Sequence, residues 1–149
     1  MTKIGLTNGC FDLFHDGHFH YLARCKEQCD YLIVALNSDA SVTRNKGAAR
    51  PRQDWGTRMA AVMDTGLVDA VIPFEGRWDK LALEIRPGIV FQGSEYRPKD
   101  GCDPVLAMRR IDWKREGHGF DVVPIIYIDR LEGHSTSLQI AKLAAKTNA

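Results

Sequence analysis

Unbroken apolar runs separated by amphipathic stretches dominate the chain, and two of these runs read YLIVAL and VVPIIYI. A strand that faces water on one side alternates apolar and polar residues, so runs without alternation are typical of a parallel sheet covered on both faces. The pattern predicts strands at residues 3–7, 31–36, 70–73, 89–92 and 121–126. It predicts helices at residues 17–28, 54–65, 78–85, 104–116 and 135–145, and a polar, basic loop at residues 37–52.

Strands that alternate with helices predict an α/β fold with a doubly wound, five-stranded parallel sheet. The sequence has no internal repeat, no low-complexity tract and no linker rich in Pro, Gly or Ser, so we expect one domain over residues 1–149. Ligands of such folds bind beyond the carboxyl ends of the strands. We therefore expect the functional site at the loop that follows the first strand.

Composition narrows the possible function classes. The chain has 149 residues, of which 44% are hydrophobic and 26% charged, and it contains no apolar run long enough to cross a membrane. Its 20 Lys and Arg against 19 Asp and Glu give a net charge of +1, without the strong positive field that draws proteins onto nucleic acid or anionic lipid. We expect no nucleic-acid or membrane partner and, without a signal-peptide pattern, a cytoplasmic location.

The chain has four cysteines, Cys10, Cys25, Cys29 and Cys102, which form no CxxC pair and have no secretory context. This pattern favours free thiols over disulfides or a structural zinc site. Cys25 and Cys29 are four residues apart and would share one helix face, where we expect a packing role.

Two histidines lie at the junction between the first predicted strand and the first predicted helix. His15 and His18 are three residues apart and can face the same way, while Gly17 lets a ligand approach the backbone of a helix start with its partial positive charge. Imidazole rings donate hydrogen bonds to phosphate oxygens and can carry a proton where charge builds up. An arbitrary HxxH pair can also cap a helix or bind a metal, but the preceding strand, the glycines and the Phe11-Asp12 pair favour a phosphate site.

Residues 9–18, GCFDLFHDGH, resemble the GxFDxxHxGH signature of the HxGH nucleotidyltransferases, the cytidylyltransferase-like family. The resemblance implies a Rossmann-like sheet and in-line attack of a substrate phosphate oxygen on the α-phosphorus of a nucleoside triphosphate. Pyrophosphate would leave, Mg²⁺ would assist, no covalent enzyme intermediate would form, and the protein would be a homodimer. The resemblance implies catalytic roles for His15 and His18 and nucleotide contacts for Gly9, Cys10, Phe11 and Gly17.

The basic loop predicted after the second strand carries Lys46 and Arg50, both within reach of the same cleft. Negative charge grows on the leaving pyrophosphate, so a flexible cation on a loop suits the transition state. We expect Lys46 to act in catalysis and Arg50, with Asp12, to bind substrate. Asp12 could also contact Mg²⁺ or the loop itself, and a solvated loop without a ligand is the alternative for both cations.

Two later segments complete the expected site. Residues 130–136, RLEGHST, resemble the family's R-x-E-G-x-S-T element, which contacts the triphosphate. That element implies nucleotide binding by Arg130, Ser135 and Thr136, although helix capping alone would also explain a Ser or Thr here. Residues 91–96, FQGSEY, stand where the family often has K-G-G-D-Y or M-G-D-D, and Gly93 fits a nucleotide contact. Glu95 replaces the usual aspartate, which leaves the nucleotide and the metal ligands open.

Different segments of the chain resemble enzymes with different substrates. The SDAS and KGxxRP patterns at residues 38–41 and 46–51 are similar to the adenylyltransferases of ADP-heptose biosynthesis. The element at residues 130–136 is more similar to the glycerol-3-phosphate cytidylyltransferases. We favour transfer of AMP from ATP onto a sugar phosphate such as heptose 1-phosphate. Transfer from CTP onto a polyol phosphate is the second hypothesis, and a non-catalytic protein that binds ATP or CTP is the third.

Overall fold

The computed structural model describes residues 2–75, 78–94, 108–112 and 120–129 of the chain. The strands are β1 Ile4–Gly9, β2 Tyr31–Asn37, β3 Ala70–Phe74, β4 Ile89–Gly93, β5 Met108–Asp112 and β6 Phe120–Ile128. The helices are α1 Asp16–Lys26, α2 Asp39–Lys46, α3 Trp55–Asp64 and α4 Trp78–Ile85. None of the helices within these ranges is long and apolar enough to cross a membrane.

The strands form one six-stranded sheet in the order β3-β2-β1-β4-β6-β5. The first five strands of this order are parallel, which confirms the predicted α/β fold with its five-stranded parallel sheet. The chain winds outward from β1 through β2 and β3 on one side and through β4 and β6 on the other. The carboxyl end of β1 therefore lies at the switch point, where open α/β sheets form their ligand crevice.

The sixth strand corrects one prediction. Residues 108–112 were predicted within a helix at 104–116, but they form β5, which pairs antiparallel with β6. The prediction was wrong because local periodicity carries no information about a distant partner strand, and a ladder of hydrogen bonds outweighs a weak helical pattern. β5 extends the parallel sheet as an antiparallel edge strand, a common arrangement in large α/β sheets.

The segment predicted as a polar loop at residues 37–52 contains helix α2. Its N-cap is Ser38, whose hydroxyl accepts a hydrogen bond from the backbone N–H of Ser41 at 3.1 Å. Val42 and Ser41 are buried, so this short helix gains its stability from the cap and from packing and not from its polar composition. The helix predicted at residues 135–145 lies outside the described residues.

Both faces of the sheet are covered, as the unbroken apolar runs indicate. Leu32, Val34 and Leu36 of β2 point to one face, where Leu22 of α1 and Val62 of α3 pack on them without exposure to solvent. The opposite face buries a second cluster beneath α4, made of Leu6, Ala35, Phe74, Ala82, Val90 and Ile125. Each fully buried leucine contributes about 1.5–3 kcal/mol to folding, so the two clusters hold the sheet between its helices.

Cys10, Cys25 and Cys29 are free thiols, as predicted. Cys25 is fully buried in α1, and the Cys29 thiol donates to the Cys25 carbonyl oxygen over 3.4 Å. Burial raises the pKa of both thiols, which keeps them protonated and unreactive. Their role is therefore packing, while Cys102 lies outside the described residues.

Gly5 in β1 provides a test of this packing. A Cβ atom at position 5 would lie 2.7 Å from a ring carbon of Phe91 and 2.8 Å from the Cys29 sulfur. We expect Gly5→Ala to lower the free energy of unfolding by about 1–3 kcal/mol, because neither neighbour can move without disturbing the core. Urea unfolding followed by circular dichroism measures the change.

Gly56→Ala is the matched control. A Cβ at position 56, in the first turn of α3, meets only an oxygen of Asp54 at 3.7 Å. This variant should be unchanged or more stable by up to about 1 kcal/mol, because alanine loses less backbone entropy in a helix than glycine does. Equal stability of Gly5→Ala and the parent protein would contradict the packing at β1.

Candidate active site

The loop between β1 and α1 has an unusual backbone. Phe11 and Leu13 have φ angles of 48° and 49°, in the left-handed region that bulky residues rarely adopt. Such a conformation costs about 1–3 kcal/mol at each residue and persists only where surrounding contacts enforce it. Phe11 is buried, and its ring packs against the rings of Phe14, His18 and Tyr21. The loop is therefore held in one strained shape at the switch point of the sheet.

The two histidines are positioned by the helix start itself. His15 is the N-cap of α1, and its Nδ1 accepts a hydrogen bond from the backbone N–H of Gly17 at 3.0 Å. The Nδ1 of His18 accepts in turn from the backbone N–H of His15 at 3.3 Å. The rings stack with centroids 3.8 Å apart and planes inclined by 24°.

This reciprocal cap determines which nitrogen carries the proton. A neutral imidazole has one donor and one acceptor nitrogen, so a ring that accepts at Nδ1 carries its hydrogen at Nε2. The sequence left helix capping and phosphate binding as alternatives for these histidines. The structure shows that capping uses the Nδ1 atoms of His15 and His18, and it thereby defines Nε2–H as the donor of each neutral ring.

Arg58 is the largest fully buried side chain among the described residues, and its role was missed from the sequence. Its guanidinium donates to the carbonyl oxygens of Cys10 at 2.8 Å, Asn37 at 2.9 Å and Gln53 at 3.0 Å. It also pairs with the half-exposed carboxylate of Asp39. One side chain of α3 thus joins the ends of β1 and β2 to the start of α2 and to the turn before α3.

A sequence signal for this role exists but is weak. Arg58 precedes Val62 by four residues, so the two share one face of α3, and Val62 is fully buried. An arginine on the apolar face of an amphipathic helix needs polar partners inside the protein. Those partners are backbone carbonyls distant in sequence, and no local pattern reveals them.

Asp12 is completely buried beside the turn at residues 50–53. Its carboxylate accepts from the backbone N–H of Arg52 at 2.8 Å and of Gln53 at 3.1 Å, and from Nε of Arg50 at 3.3 Å. The backbone N–H of Leu13 donates back to the Gln53 side chain at 3.2 Å. The sequence allowed Asp12 to contact the substrate, Mg²⁺ or the basic loop, and the structure shows its contact to the loop.

Lys46 and Arg50 both lie against the histidine-bearing loop. Lys46 is the last residue of α2 and not part of a loop, and its exposed side chain places Nζ 3.3 Å from the Cys10 sulfur. Arg50 follows α2 and is mostly buried next to Asp12. The structure therefore brings both cations to the segment that carries His15 and His18.

The other predicted site residues divide between the described and undescribed parts of the chain. Gly9 ends β1, where a Cβ would lie 2.9 Å from the Phe11 ring, and Gly93 ends β4, the neighbouring strand in the sheet. The remaining predicted positions, Glu95, Arg130, Ser135 and Thr136, lie outside the described residues. Among the residues that are described, no group of three or more His, Cys, Asp or Glu side chains could hold a metal ion.

Arg58→Met tests whether the guanidinium network organises these loops. We expect the free energy of unfolding to fall by about 2–4 kcal/mol, because the partly buried carbonyl oxygens of Cys10, Asn37 and Gln53 would lose their donor. Arg24→Met, which removes a surface arginine paired with Glu27, should change the stability by less than about 0.5 kcal/mol. Denaturant unfolding measures both, and equal effects would show that the Arg58 contacts contribute little.

Comparison with known proteins agrees with the geometry. Residues 6–138 match the cytidylyltransferase-like family. The bifunctional protein HldE of Aeromonas salmonicida is 45% identical over 108 residues, which are 70% of this chain and 23% of that protein. The HldE protein of Acidiphilium cryptum is 37% identical over 143 residues, which are 95% of this chain and 27% of that protein. The chain thus spans about a quarter of the length of these relatives.

Solved structures show the same fold. The lipopolysaccharide core biosynthesis protein from Thermoplasma volcanium superposes with a TM-score of 0.68 at 27% identity, over 89% of this chain and 100% of that one. The pantothenate synthetase from Thermus thermophilus superposes with a TM-score of 0.54 at 14% identity, over 87% of this chain and 56% of that one, and shows the fold alone. With the matched family, the Rossmann-like sheet and the two histidines at its switch point, the chain belongs to the cytidylyltransferase-like family.

Proposed function

We propose that the protein transfers AMP from ATP onto the phosphate group of a sugar phosphate, such as heptose 1-phosphate, and releases pyrophosphate. The observation that carries this proposal is the reciprocal cap of His15 and His18, which makes Nε2–H the donor of two stacked rings at a helix start. Phosphate oxygens accept such donors, and the helix start adds its own backbone N–H groups and partial positive charge.

In the proposed reaction, an oxygen of the acceptor phosphate attacks the α-phosphorus of the triphosphate. The bond to the bridging oxygen of the β-phosphate breaks, and its electron pair leaves with pyrophosphate. His15 and His18 donate hydrogen bonds to the α-phosphate oxygens, where negative charge accumulates. The ammonium group of Lys46 stabilises the negative charge that develops on the leaving pyrophosphate. Much of the rate would come from holding the two substrates in line.

The remaining nucleotide contacts are assigned by resemblance. The backbone of Gly9, Cys10, Phe11 and Gly17 would line the triphosphate, and Gly93 would border the nucleotide at the end of β4. Arg130, Ser135 and Thr136 would hold the β- and γ-phosphates. Arg50 and Asp12 would bind the acceptor substrate.

Mg²⁺ would enter with the triphosphate. The family typically uses a divalent metal, but the Asp12 oxygens already accept hydrogen bonds from Arg50, Arg52 and Gln53, so this carboxylate does not fit a metal ligand. Magnesium commonly keeps several waters and is held by substrate phosphates with few protein ligands. The described residues accordingly serve to bind and orient the phosphates.

Sequence similarity to the HldE proteins supports a sugar phosphate acceptor. The element at residues 130–136 supports the second hypothesis, a cytidylyltransferase that uses CTP and a polyol phosphate. Pyrophosphate release from each of the four common nucleoside triphosphates, mixed with a panel of sugar and polyol phosphates, separates the two. Tight nucleotide binding without release under any combination would favour the non-catalytic protein instead.

We expect His18→Ala to lower kcat by a factor of about one hundred or more, comparable to the loss of a strong transition-state contact. Because this substitution also removes the acceptor for the His15 N–H, His18→Asn is the sharper variant. Asparagine keeps an acceptor near the position of Nδ1 and supplies no donor at Nε2. It should restore the stability of α1 and stay as inactive as alanine, with pyrophosphate release and thermal melting as the measurements.

His20→Ala provides the control, since it removes the same side chain two residues along α1, where side chains point in another direction. Its turnover should stay near that of the parent protein. Near-normal turnover of His18→Asn would remove the Nε2 donor of His18 from the mechanism.

A further inference from the structure

Thr7 is a polar residue inside a buried strand. Its side chain is fully buried in β1, which has a parallel strand on each side. Parallel strands covered on both faces are built mainly from apolar residues, and valine has nearly the shape of threonine without the hydroxyl group. A buried hydroxyl group costs free energy unless it is hydrogen-bonded. Its role at this position therefore depends on its hydrogen-bond partners.

The Thr7 hydroxyl group is the middle of a chain of two hydrogen bonds. Its Oγ1 donates to the carbonyl oxygen of Phe91 in β4 at 3.1 Å and lies 2.7 Å from the hydroxyl oxygen of Tyr21 in α1. A threonine hydroxyl group has one hydrogen. Because that hydrogen is directed to Phe91, the Tyr21 hydroxyl group is the donor to Thr7. The hydroxyl chain of Tyr21 and Thr7 thus joins α1, β1 and β4 at one point.

The hydroxyl chain lies where the pairing of β1 with β4 ends. Thr7 and Phe91 are the last paired positions of these two strands. β1 continues beside β2 to Gly9, and β4 continues beside β6 to Gly93. Within the described strands, the last two residues of β1 and of β4 are therefore paired with their outer neighbours and not with each other. The crevice at the switch point of the sheet begins directly beyond the hydroxyl chain.

Each part of the hydroxyl chain is close to a proposed nucleotide contact. Thr7 and Phe91 each lie two residues before the glycine that ends their strand. Tyr21 follows His18 by three residues, about one turn of α1. The rings of Tyr21 and His18 both pack on the Phe11 ring, with centroids 6.3 and 5.3 Å from it. Two hydroxyl groups therefore connect the histidine pair with the end of β4.

We propose that Thr7 and Tyr21 are positioning residues for the nucleotide, and that their hydroxyl groups set the distance between the histidine pair and the end of β4. This inference rests on the proposed function, in which one nucleotide contacts both parts, and neither hydroxyl group touches it. A displacement of about 1 Å between the two parts would prevent the nucleotide from making both sets of contacts in their best geometry. Loss of the chain therefore weakens nucleotide binding.

Thr7→Val removes the central hydroxyl group and keeps the β-branched shape. We expect the affinity for α,β-methylene ATP or α,β-methylene CTP, whichever the parent protein binds more tightly, to fall by about 5- to 20-fold. Thr7→Ser keeps the hydroxyl group and loses only a methyl group, so its affinity should stay within about twofold of the parent value. Isothermal titration calorimetry measures both affinities without turnover.

Tyr21→Phe removes the outer donor and keeps the ring that packs on Phe11. We expect a smaller loss of affinity for the same analogue, about 2- to 10-fold, because the bond from Thr7 to Phe91 remains. In the Thr7→Val background the substitution should add little, since Tyr21 acts through Thr7. Additive losses in the double variant would contradict a single chain.

Thr65→Val is the matched control. The Thr65 hydroxyl group also makes two hydrogen bonds, donating to the Val62 carbonyl oxygen at 2.7 Å and accepting from the Leu67 backbone N–H at 3.2 Å. It lies between α3 and β3, at the edge of the sheet where the strands begin. Both valine variants should melt at a lower temperature than the parent protein, but only Thr7→Val should bind the analogue more weakly.

The outcomes separate this proposal from the proposed function. Affinity that is lost in Thr7→Val and kept in Thr7→Ser and Thr65→Val supports the positioning role, whichever acceptor is used. Unchanged affinity of Thr7→Val with a lowered melting temperature overturns it and leaves the proposed function intact. An equal loss of affinity in Thr7→Ser or in Thr65→Val also overturns it. Absence of binding of both analogues to the parent protein overturns it and contradicts the proposed function as well.

Discussion

The site depends on one buried guanidinium. Arg58 donates to carbonyl oxygens that follow β1, end β2 and precede α3, and it pairs with Asp39 at the start of α2. The parallel sheet brings these ends to one edge, but their unpaired carbonyls would be costly to bury there without a donor. A single planar group with several N–H donors satisfies three of them at once. The positions of the histidine loop and of α2 follow from this arrangement.

A second constraint acts within the histidine loop. Left-handed backbone at Phe11 and Leu13 turns the chain sharply between β1 and α1, and the buried Phe11 ring holds that turn. The turn presents His15 at the N-cap, where the Nδ1 atoms of both histidines are used by backbone N–H groups. Local strain is thus stabilised by aromatic packing, and the result is a pair of rings with defined donor nitrogens.

Asp12 connects these two constraints. Its buried carboxylate joins the histidine loop to the turn at residues 50–53, whose last residue also gives its carbonyl to Arg58. Lys46 at the end of α2 and Arg50 in the following turn therefore both contact the loop that carries the histidines.

Much of this protein can be predicted from local sequence. The unbroken apolar runs indicated the five parallel strands, the pattern of residues 78–85 indicated α4, and the HDGH pattern located the histidines at the start of the first helix. These features are local, because burial on both faces, helical spacing and a strand-to-helix junction each depend on residues close together in the chain.

Only the tertiary structure decided the rest. β5 forms because β6 supplies a partner, and α2 forms in a polar segment because Ser38 caps it and Val42 packs on the core. Arg58 lies 48 residues from Cys10, and Asp12 lies 40 residues from Arg52, so no local pattern could reveal their contacts. Chain folding brings such pairs together. The hydrogen bonds between them then determine the orientation of the site residues that the sequence predicts.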